Sequence, residues 1–226
     1  MAVIVALVSQ KGGTGKSTLA RALGAVVAHT GHKVRIADLD DQQQTVIEWG
    51  KLREDSNLSS IEVQAFSDVA NALSSQREGE LLIIDAPARA SRSTLEIARH
   101  ADLVVQPTGG SVDDLRPAVL LFHELVSAGI PKARLVIALC RILGEREEDI
   151  ARAYIAKAGF TVLPGSMPER LAYREAHNRG QAANEAKDRA VRQRVDQLMD
   201  ALFDKVDAQL KAKARRERAT RGAKSK

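Results

Sequence analysis

The feature that most constrains the fold is a glycine-rich segment near the amino terminus, with an apolar run before it and a helical pattern after it. The apolar run covers residues 2–8, and the helical pattern begins at Leu19. Between them lies Lys11-Gly12-Gly13-Thr14-Gly15-Lys16-Ser17-Thr18. A strand, a glycine-rich turn and a helix in this order form a phosphate-binding loop, because backbone N–H groups and the positive end of the helix dipole face a polyphosphate.

Two side chains of this segment have definite chemical roles in such a loop. We expect Lys16 to place a positive charge against the β- and γ-phosphates, and the hydroxyl of Ser17 to bind Mg²⁺. The backbone from Lys11 to Thr18 would surround the phosphates. The sequence therefore predicts a binding site for a nucleoside triphosphate together with Mg²⁺.

The loop departs from the common pattern GxxxxGK[ST] in one informative way. Gln10 stands where that pattern has its first glycine, and Lys11 is an additional lysine. Two lysines on the same phosphates would repel each other, which makes a shared role within one chain unfavourable. Lys11 is better suited to contact a nucleotide that is held by another copy of the chain.

Carboxylates follow two further apolar runs. The segment Val34–Asp40 reads as a strand, and its alternation places Asp38 and Asp40 on the same face, near the loop. Paired aspartates after a strand are also common in turns. The run that ends at Asp85 is apolar without alternation, which is typical of a buried parallel strand.

Together these three motifs resemble those of the deviant Walker A ATPases, the ParA/MinD superfamily, whose loop reads KGGxGK[ST]. The resemblance implies that Lys11 contacts the partner subunit's nucleotide in an ATP-dependent sandwich homodimer. It also implies that Asp40 positions the attacking water, that Asp85 holds Mg²⁺ through water, and that Asp38 lies near the metal. Lys11, Lys16 and Asp40 are then the expected catalytic residues.

Weaker features extend this resemblance beyond the three motifs. They imply nucleotide contacts from Arg141, which follows the sixth predicted strand, and from Met167 and Pro168. Three features depart from the family pattern: Asp41 replaces the proline that usually follows Asp40, Gly109-Gly110 replaces a more rigid stretch of the proline loop, and Cys140 stands where asparagine or threonine is more common. Without an amino-terminal helix-turn-helix, the chain is most similar to the short ParA plasmid-partition ATPases.

The order of apolar runs predicts the fold class. Runs alternate with helical patterns, which indicates a single-domain α/β P-loop fold with a mostly parallel, twisted sheet and helices on both faces. We expect Gly31, Gly129 and Gly159 to end helices. After the first run, the predicted strands are Lys33 to Leu39, Ile61 to Phe66, Glu80 to Asp85, Asp102 to Gln106 and Leu135 to Cys140.

Positive charge is concentrated at the carboxyl terminus. Residues 205–226 carry nine lysines and arginines against two acidic residues, a net charge of +7, whereas the whole chain carries +5. We expect an ATPase domain over residues 1–210 and a flexible basic tail over 211–226. The tail is either a solvated terminus or an arm that contacts DNA phosphates. The expected contacts are Lys211, Lys213, Arg215, Arg216, Arg218 and Arg221.

Composition excludes several other classes. The single cysteine, Cys140, offers no disulfide partner, which favours a cytoplasmic protein. Aromatic residues make up only 3% of the chain, too few for capture of single strands by base stacking. Residues 211–226 contain no Trp, Phe or Leu, so insertion of the tail into a membrane is not expected.

The resemblance implies a function in partition. Two subunits would close around ATP and bring basic residues of both onto one non-specific surface for double-stranded DNA at the nucleoid. A cargo-bound adaptor of ParB type would stimulate hydrolysis, and the cargo would be plasmid DNA, a transfer-DNA complex, a carboxysome or a chemoreceptor array. Two alternatives remain: a metabolic or assembly ATPase acting on a small molecule or metallocluster, and a structural DNA binder whose nucleotide site is vestigial.

Overall fold

A parallel β-sheet forms the centre of the chain, and the computed structural model describes residues 2–40, 45–88 and 91–224. The side chains of residues 91, 190, 191 and 216–224 lie outside that description. The strands are β1 (Val3–Leu7), β2 (Lys33–Asp38), β3 (Glu62–Ala65), β4 (Glu80–Asp85), β5 (Leu103–Thr108), β6 (Leu135–Ile142), β7 (Thr161–Val162) and β8 (Met167–Pro168). The helices are α1 (Lys16–His29), α2 (Thr45–Glu54), α3 (Val69–Ser74), α4 (Ser91–His100), α5 (Val112–Ser127), α6 (Glu145–Lys157), α7 (Leu171–His177) and α8 (Arg189–Lys224).

Strand order places the first strand in the middle of the sheet. The order is β3-β2-β4-β1-β5-β6-β7, with β8 paired to β6, and every one of these pairings is parallel. The chain therefore turns to one side of β1 first and to the other side later. Ligands of such sheets bind at the carboxyl ends of the strands, where the order reverses. The predicted α/β fold is confirmed.

Helices cover both faces of the sheet, as the alternation within β1 illustrates. Val3 and Val5 are fully buried on the face that is covered by α1 and α8. Ile4 and Ala6 point to the other face, where they join a cluster with residues of α4 and α5. A central strand with both faces buried has no polar side, which explains the continuous apolar run in the sequence.

Most strand predictions agree with the structure to within about two residues, the usual uncertainty of element boundaries. The fourth strand begins and ends at the predicted residues, and the sixth continues to Ile142. The short strands β7 and β8 were not predicted. Gly31, Gly129 and Gly159 have φ angles of 79°, 91° and 78°, which is the left-handed conformation of residues that follow a helix.

The last helix differs from the sequence-based expectation of a flexible tail. α8 has 36 residues and continues through the basic segment to Lys224, a length of about 54 Å. Its first half packs on the sheet through Val195, Leu198, Leu202 and Val206, which are fully buried. Within the described residues, no helix combines the length and the apolar character that crossing a lipid bilayer requires.

α8 runs from the carboxyl ends of the strands to their amino ends. Near its start, Arg194 contacts Glu148 of α6 at 3.3 Å. Farther along, Lys213 donates to the carbonyl oxygen of Ala2 at 2.5 Å and to Asp102 at 2.7 Å. Because Ala2 and Asp102 directly precede β1 and β5, Lys213 lies at the amino ends of these strands.

Truncating a buried side chain of α8 should measure how firmly this helix belongs to the folded body. We expect Leu202→Ala to lower the free energy of unfolding by about 2–5 kcal/mol, because it leaves a cavity in the core. Chemical denaturation would measure the change. The control Leu120→Ala alters a leucine that is 50% exposed and should cost less than about 0.5 kcal/mol. Equal losses for the two variants would mean that α8 does not stabilise the body.

Candidate nucleotide-binding site

The glycine-rich segment connects β1 to α1 and turns sharply at two glycines. Gly13 and Gly15 have φ angles of 72° and 106°, a conformation that side chains disfavour. A Cβ atom on Gly15 would also lie 3.3 Å from the Cβ atom of Cys140. The loop begins the helix directly, since the N–H of Leu19 donates to the carbonyl oxygen of Gly15 at 2.9 Å. This is the predicted geometry of a phosphate-binding loop.

Two carboxylates lie beside this loop at matched positions on neighbouring strands. Asp38 of β2 pairs with Asp85 of β4 in the parallel register, and the two residues are only 3% and 2% exposed. Burial raises the pKa of Asp85 to about 7, although a hydrogen bond from Ser17 opposes the shift. Burial also raises the pKa of Asp38. Burial lowers the pKa of Lys16, and the charges of Asp85 and Asp40 oppose that change.

The donors at this point fit the divalent cation that the sequence predicts. Asp38 Oδ2 and Asp85 Oδ1 are buried and have no hydrogen-bond partner among the described residues. Buried polar atoms without partners are uncommon in folded proteins. Asp85 also accepts a hydrogen bond from the hydroxyl of Ser17. Carboxylate and hydroxyl oxygens match the preference of Mg²⁺ for oxygen ligands, several of which are usually water.

Asp40 lies at the wall of a cavity of about 460 Å³ that the loop also lines. Its backbone N–H donates to Asp38 Oδ1 at 2.9 Å, which fixes the chain just beyond the strand. A cavity of this volume is in the range of small-ligand sites. Asp41, the position that departs from the family pattern, lies outside the described residues. The cavity is lined by residues 12–18, Asp40, Ala88, Cys140, Arg141, Met167, Pro168, Glu169, Arg170, Tyr173, Arg174 and His177.

The structure thus brings the predicted nucleotide contacts Arg141, Met167 and Pro168 to the same cavity as the loop. Arg141 has a φ of 58°, which is unusual for a residue with a side chain. Its guanidinium donates to the carbonyl oxygen of Gly13 at 3.1 Å and to Glu169 at 2.9 Å. Arg141 therefore links the end of β6 to the phosphate loop.

Sequence reasoning assigned no role to Ala88, Arg174 and His177 of the cavity wall. His177 lines the cavity from α7. Burial lowers its pKa to about 4, and the charge of Arg21 adds to the effect. The imidazole is therefore neutral near pH 7. No local pattern marks His177, because the pairing of β8 with β6 is what brings α7 to the loop.

Lys11 directs its ammonium group toward α5. Its Nζ atom pairs with Asp114 at the start of α5 at 2.5 Å, and Ser111 donates to the same carboxylate at 2.8 Å. Burial alone would raise the pKa of Asp114, but these two contacts hold that pKa below its usual range. The Lys11 side chain is 47% exposed.

The expected DNA contacts differ in their surroundings. Lys211 pairs with Asp207 at 2.5 Å, and the Lys213 side chain is only 20% exposed because of its contacts with Ala2 and Asp102. Arg215 is exposed. The side chains of Arg216, Arg218 and Arg221 lie outside the described residues. Lys213 lies where β1 begins, and the phosphate loop follows the other end of that strand. The basic segment and the nucleotide site are therefore at opposite ends of the parallel strands.

Known proteins support the interpretation of this cavity. Residues 5–183 match the family described as the CobQ/CobB/MinD/ParA nucleotide binding domain. The protein ParA of Rhizobium radiobacter is 28% identical over 162 residues, which span 71% of this chain and 64% of that relative's length.

Solved structures share the fold at low sequence identity. A chain of the MinC:MinD cell division protein complex of Aquifex aeolicus is 17% identical, with a TM-score of 0.74 over 90% of this chain and 96% of that chain. The septum site-determining protein MinD of Pyrococcus horikoshii OT3, complexed with Mg-ADP, is 20% identical, with a TM-score of 0.67 over 89% and 96%. Because the family match covers the loop, both carboxylate strands and the cavity wall, this chain belongs to the CobQ/CobB/MinD/ParA family of nucleotide-binding domains.

Proposed function

We propose that this chain is a ParA-type ATPase that binds Mg-ATP, dimerises around it, binds double-stranded DNA without sequence preference and partitions or positions a cargo. Plasmid DNA is the cargo that the resemblance to the short ParA plasmid-partition ATPases favours, and a cargo-bound adaptor would stimulate hydrolysis. The observation that carries the ATPase assignment is the buried pair Asp38 and Asp85. Each carboxylate has a buried oxygen without a hydrogen-bond partner among the described residues, and Asp85 accepts a hydrogen bond from Ser17 and lies in the field of Lys16.

Each residue of the site has a role in this proposal. Ser17, Asp38 and Asp85 would hold Mg²⁺, which neutralises charge on the phosphates when bound. Lys16 places its ammonium at the transferred phosphoryl group, and backbone N–H groups of the loop hold the phosphates. Asp40, at the cavity wall, orients a water for attack. Arg141, Met167 and Pro168 contact the rest of the nucleotide.

Variants of Lys16 and Asp40 should separate ATP binding from hydrolysis. We expect Lys16→Ala to weaken ATP binding by at least about tenfold, because the charge-assisted hydrogen bond to the phosphates is removed. Asp40→Ala should bind ATP but hydrolyse it about 100-fold more slowly, because the attacking water is no longer oriented. Calorimetric titration and phosphate release would measure the two effects. Tight ATP binding by Lys16→Ala, or normal turnover by Asp40→Ala, would contradict the assignments.

Dimerisation would require Lys11 to exchange its partner. In the single chain Lys11 pairs with Asp114, and in the proposed dimer it would contact the nucleotide of the partner subunit. The exposure of its side chain is compatible with this exchange, since an exposed ion pair contributes little stability.

Replacing Lys11 should therefore affect assembly more than nucleotide binding. We expect Lys11→Ala to bind ATP as a monomer, whereas the unmodified chain should form dimers with ATP. Light scattering with a slowly hydrolysed ATP analogue would measure the mass. Arg146→Ala, which removes an exposed cation of α6, is the control and should dimerise normally. A dimeric Lys11→Ala variant would rule out the proposed contact.

DNA contacts in this proposal come from the end of α8. Lys213 fixes this helix at the amino ends of β1 and β5. Arg215, two residues after Lys213, is exposed. Residues 214–226 carry six lysines and arginines against one glutamate. Phosphate contacts of this kind carry no sequence information. Binding through them would hold the protein at the nucleoid.

Truncation after Lys213 should test this interaction without disturbing the fold, because it keeps the pair between Lys213 and Asp102. We expect the truncated chain to bind a random DNA duplex more weakly, with a salt dependence less steep by about one unit for each phosphate that the basic segment neutralises. Fluorescence anisotropy at several salt concentrations would measure the slope. The double variant Lys51→Ala/Arg146→Ala removes two exposed positive charges from α2 and α6. It is the control for the effect of losing positive charge elsewhere on the surface. No DNA binding by the full chain, with hydrolysis retained, would favour the metabolic ATPase instead.

A further inference from the structure

Arg21 is a buried cation beneath the phosphate loop that the roles above do not use. It lies on α1, five residues after Lys16, and only 7% of it is exposed. Arginine is seldom buried unless other groups compensate its charge. The identity of these groups indicates what Arg21 does.

The guanidinium connects α1 to the beginning of α2. Arg21 Nη2 donates to the carbonyl oxygen of Thr45, the first residue of α2, at 2.6 Å. Its Cζ atom lies 5.5 Å from the centre of the Trp49 ring, one turn farther along the same helix. Trp49 is itself fixed, because its Nε1 donates to the carbonyl oxygen of Gln181 at 3.0 Å.

These contacts fix one end of the connection that starts at Asp40. Only residues 41–44 separate Asp40 from Thr45, and the near end is fixed by the hydrogen bond from the Asp40 N–H to Asp38. The far end is fixed by Arg21. Since Arg21 and Lys16 lie on the same helix, α1 holds both the phosphate-binding group and the anchor of the Asp40 segment.

The same side chain lies in the electric field of the buried carboxylates. Burial lowers the pKa of Arg21 to about 10, and the negative charges of Asp85 and Asp38 oppose this shift. The guanidinium therefore remains charged near pH 7. It compensates part of the negative charge at the proposed metal site without occupying the position of a ligand.

We propose that Arg21 is a positioning residue for hydrolysis, which holds Thr45 at the start of α2 in place relative to Lys16 and Ser17 and so limits where Asp40, five residues earlier in the chain, can lie. It touches no nucleotide, since it does not line the cavity, and acts through Thr45. This inference rests on the proposed ATPase function. It assigns to Arg21 a contribution to turnover rather than to ATP affinity.

Arg21→Met tests the proposal, because methionine fills similar space without the charge or the hydrogen bond to Thr45. We expect kcat for Mg-ATP to fall by about 10- to 100-fold, the effect of a misplaced reacting group, with ATP affinity nearly unchanged. Hydrogen exchange followed by mass spectrometry should show faster exchange at Thr45–Trp49. If the methionine variant does not fold, Arg21→Lys replaces it, since lysine lacks the planar fork.

Arg53→Lys is the matched control. Arg53 lies 5.3 Å from the same Trp49 ring, but it binds Glu185 and the carbonyl oxygens of Ser59 and Gly180. This variant should lose stability and keep the kcat of the unmodified chain per ATP-binding molecule.

The outcomes distinguish this inference from the proposed function. A kcat for Arg21→Met no lower than that of Arg53→Lys would overturn the inference, and so would a loss of ATP affinity as large as the loss of kcat. If the unmodified chain binds ATP without hydrolysing it, the ATPase proposal fails by itself. Hydrogen exchange at Thr45–Trp49 then tests whether Arg21 holds the start of α2. Faster exchange in Arg21→Met supports this role, and unchanged exchange overturns it.

Discussion

Compensation of buried charge beneath the phosphate loop is the constraint on which the rest of this structure depends. Asp38 and Asp85 are held side by side by the register of β2 and β4, with Lys16 and Arg21 close enough to affect them. Isolated charges in such a place would be strongly destabilising. A shift of one residue between the two strands would turn one carboxylate to the opposite face of the sheet. The register is therefore as important to the site as the residues themselves.

A second part of the sheet completes the cavity on the other side. Near the end of β6, Cys140 packs against Gly15 and Arg141 contacts Gly13. The short β8 pairs with the same end of β6 and brings Met167 beside them. Arg141 keeps a left-handed backbone conformation there. Strain of this kind persists where surrounding contacts fix it, and its contacts with Gly13 and Glu169 supply that restraint.

The sequence was sufficient where the signal is local. The loop and the carboxylates are predicted by short motifs, and the long buried strands by runs of consecutive apolar residues. β7 and β8 have only two residues each, too few for any periodicity. His177 and Arg21 have no local signature, because their roles arise from elements distant in the chain that tertiary packing brings together.

The basic segment shows a different limit of sequence reasoning. The apolar side chains of α8 that pack against the core end at Leu210, and the sequence alone predicts a flexible tail from residue 211. Helix formation does not require a buried face when the residues have high helix propensity, as alanine, lysine and arginine do. The sequence from 211 to 218 is composed almost entirely of these three. Lys213 additionally anchors the segment to Asp102.

The position of that segment limits how ATP can control DNA binding in the proposed function. The five residues of β1 separate the basic segment from the phosphate loop by about 17 Å. A nucleotide at the loop would therefore not touch the end of α8. Direct contact between ATP and the basic residues is therefore not expected. Dimerisation supplies another route, because two basic helices in one particle raise the effective concentration for the second DNA contact. DNA affinity would then depend on ATP through the number of helices per particle, with no change in the helix itself.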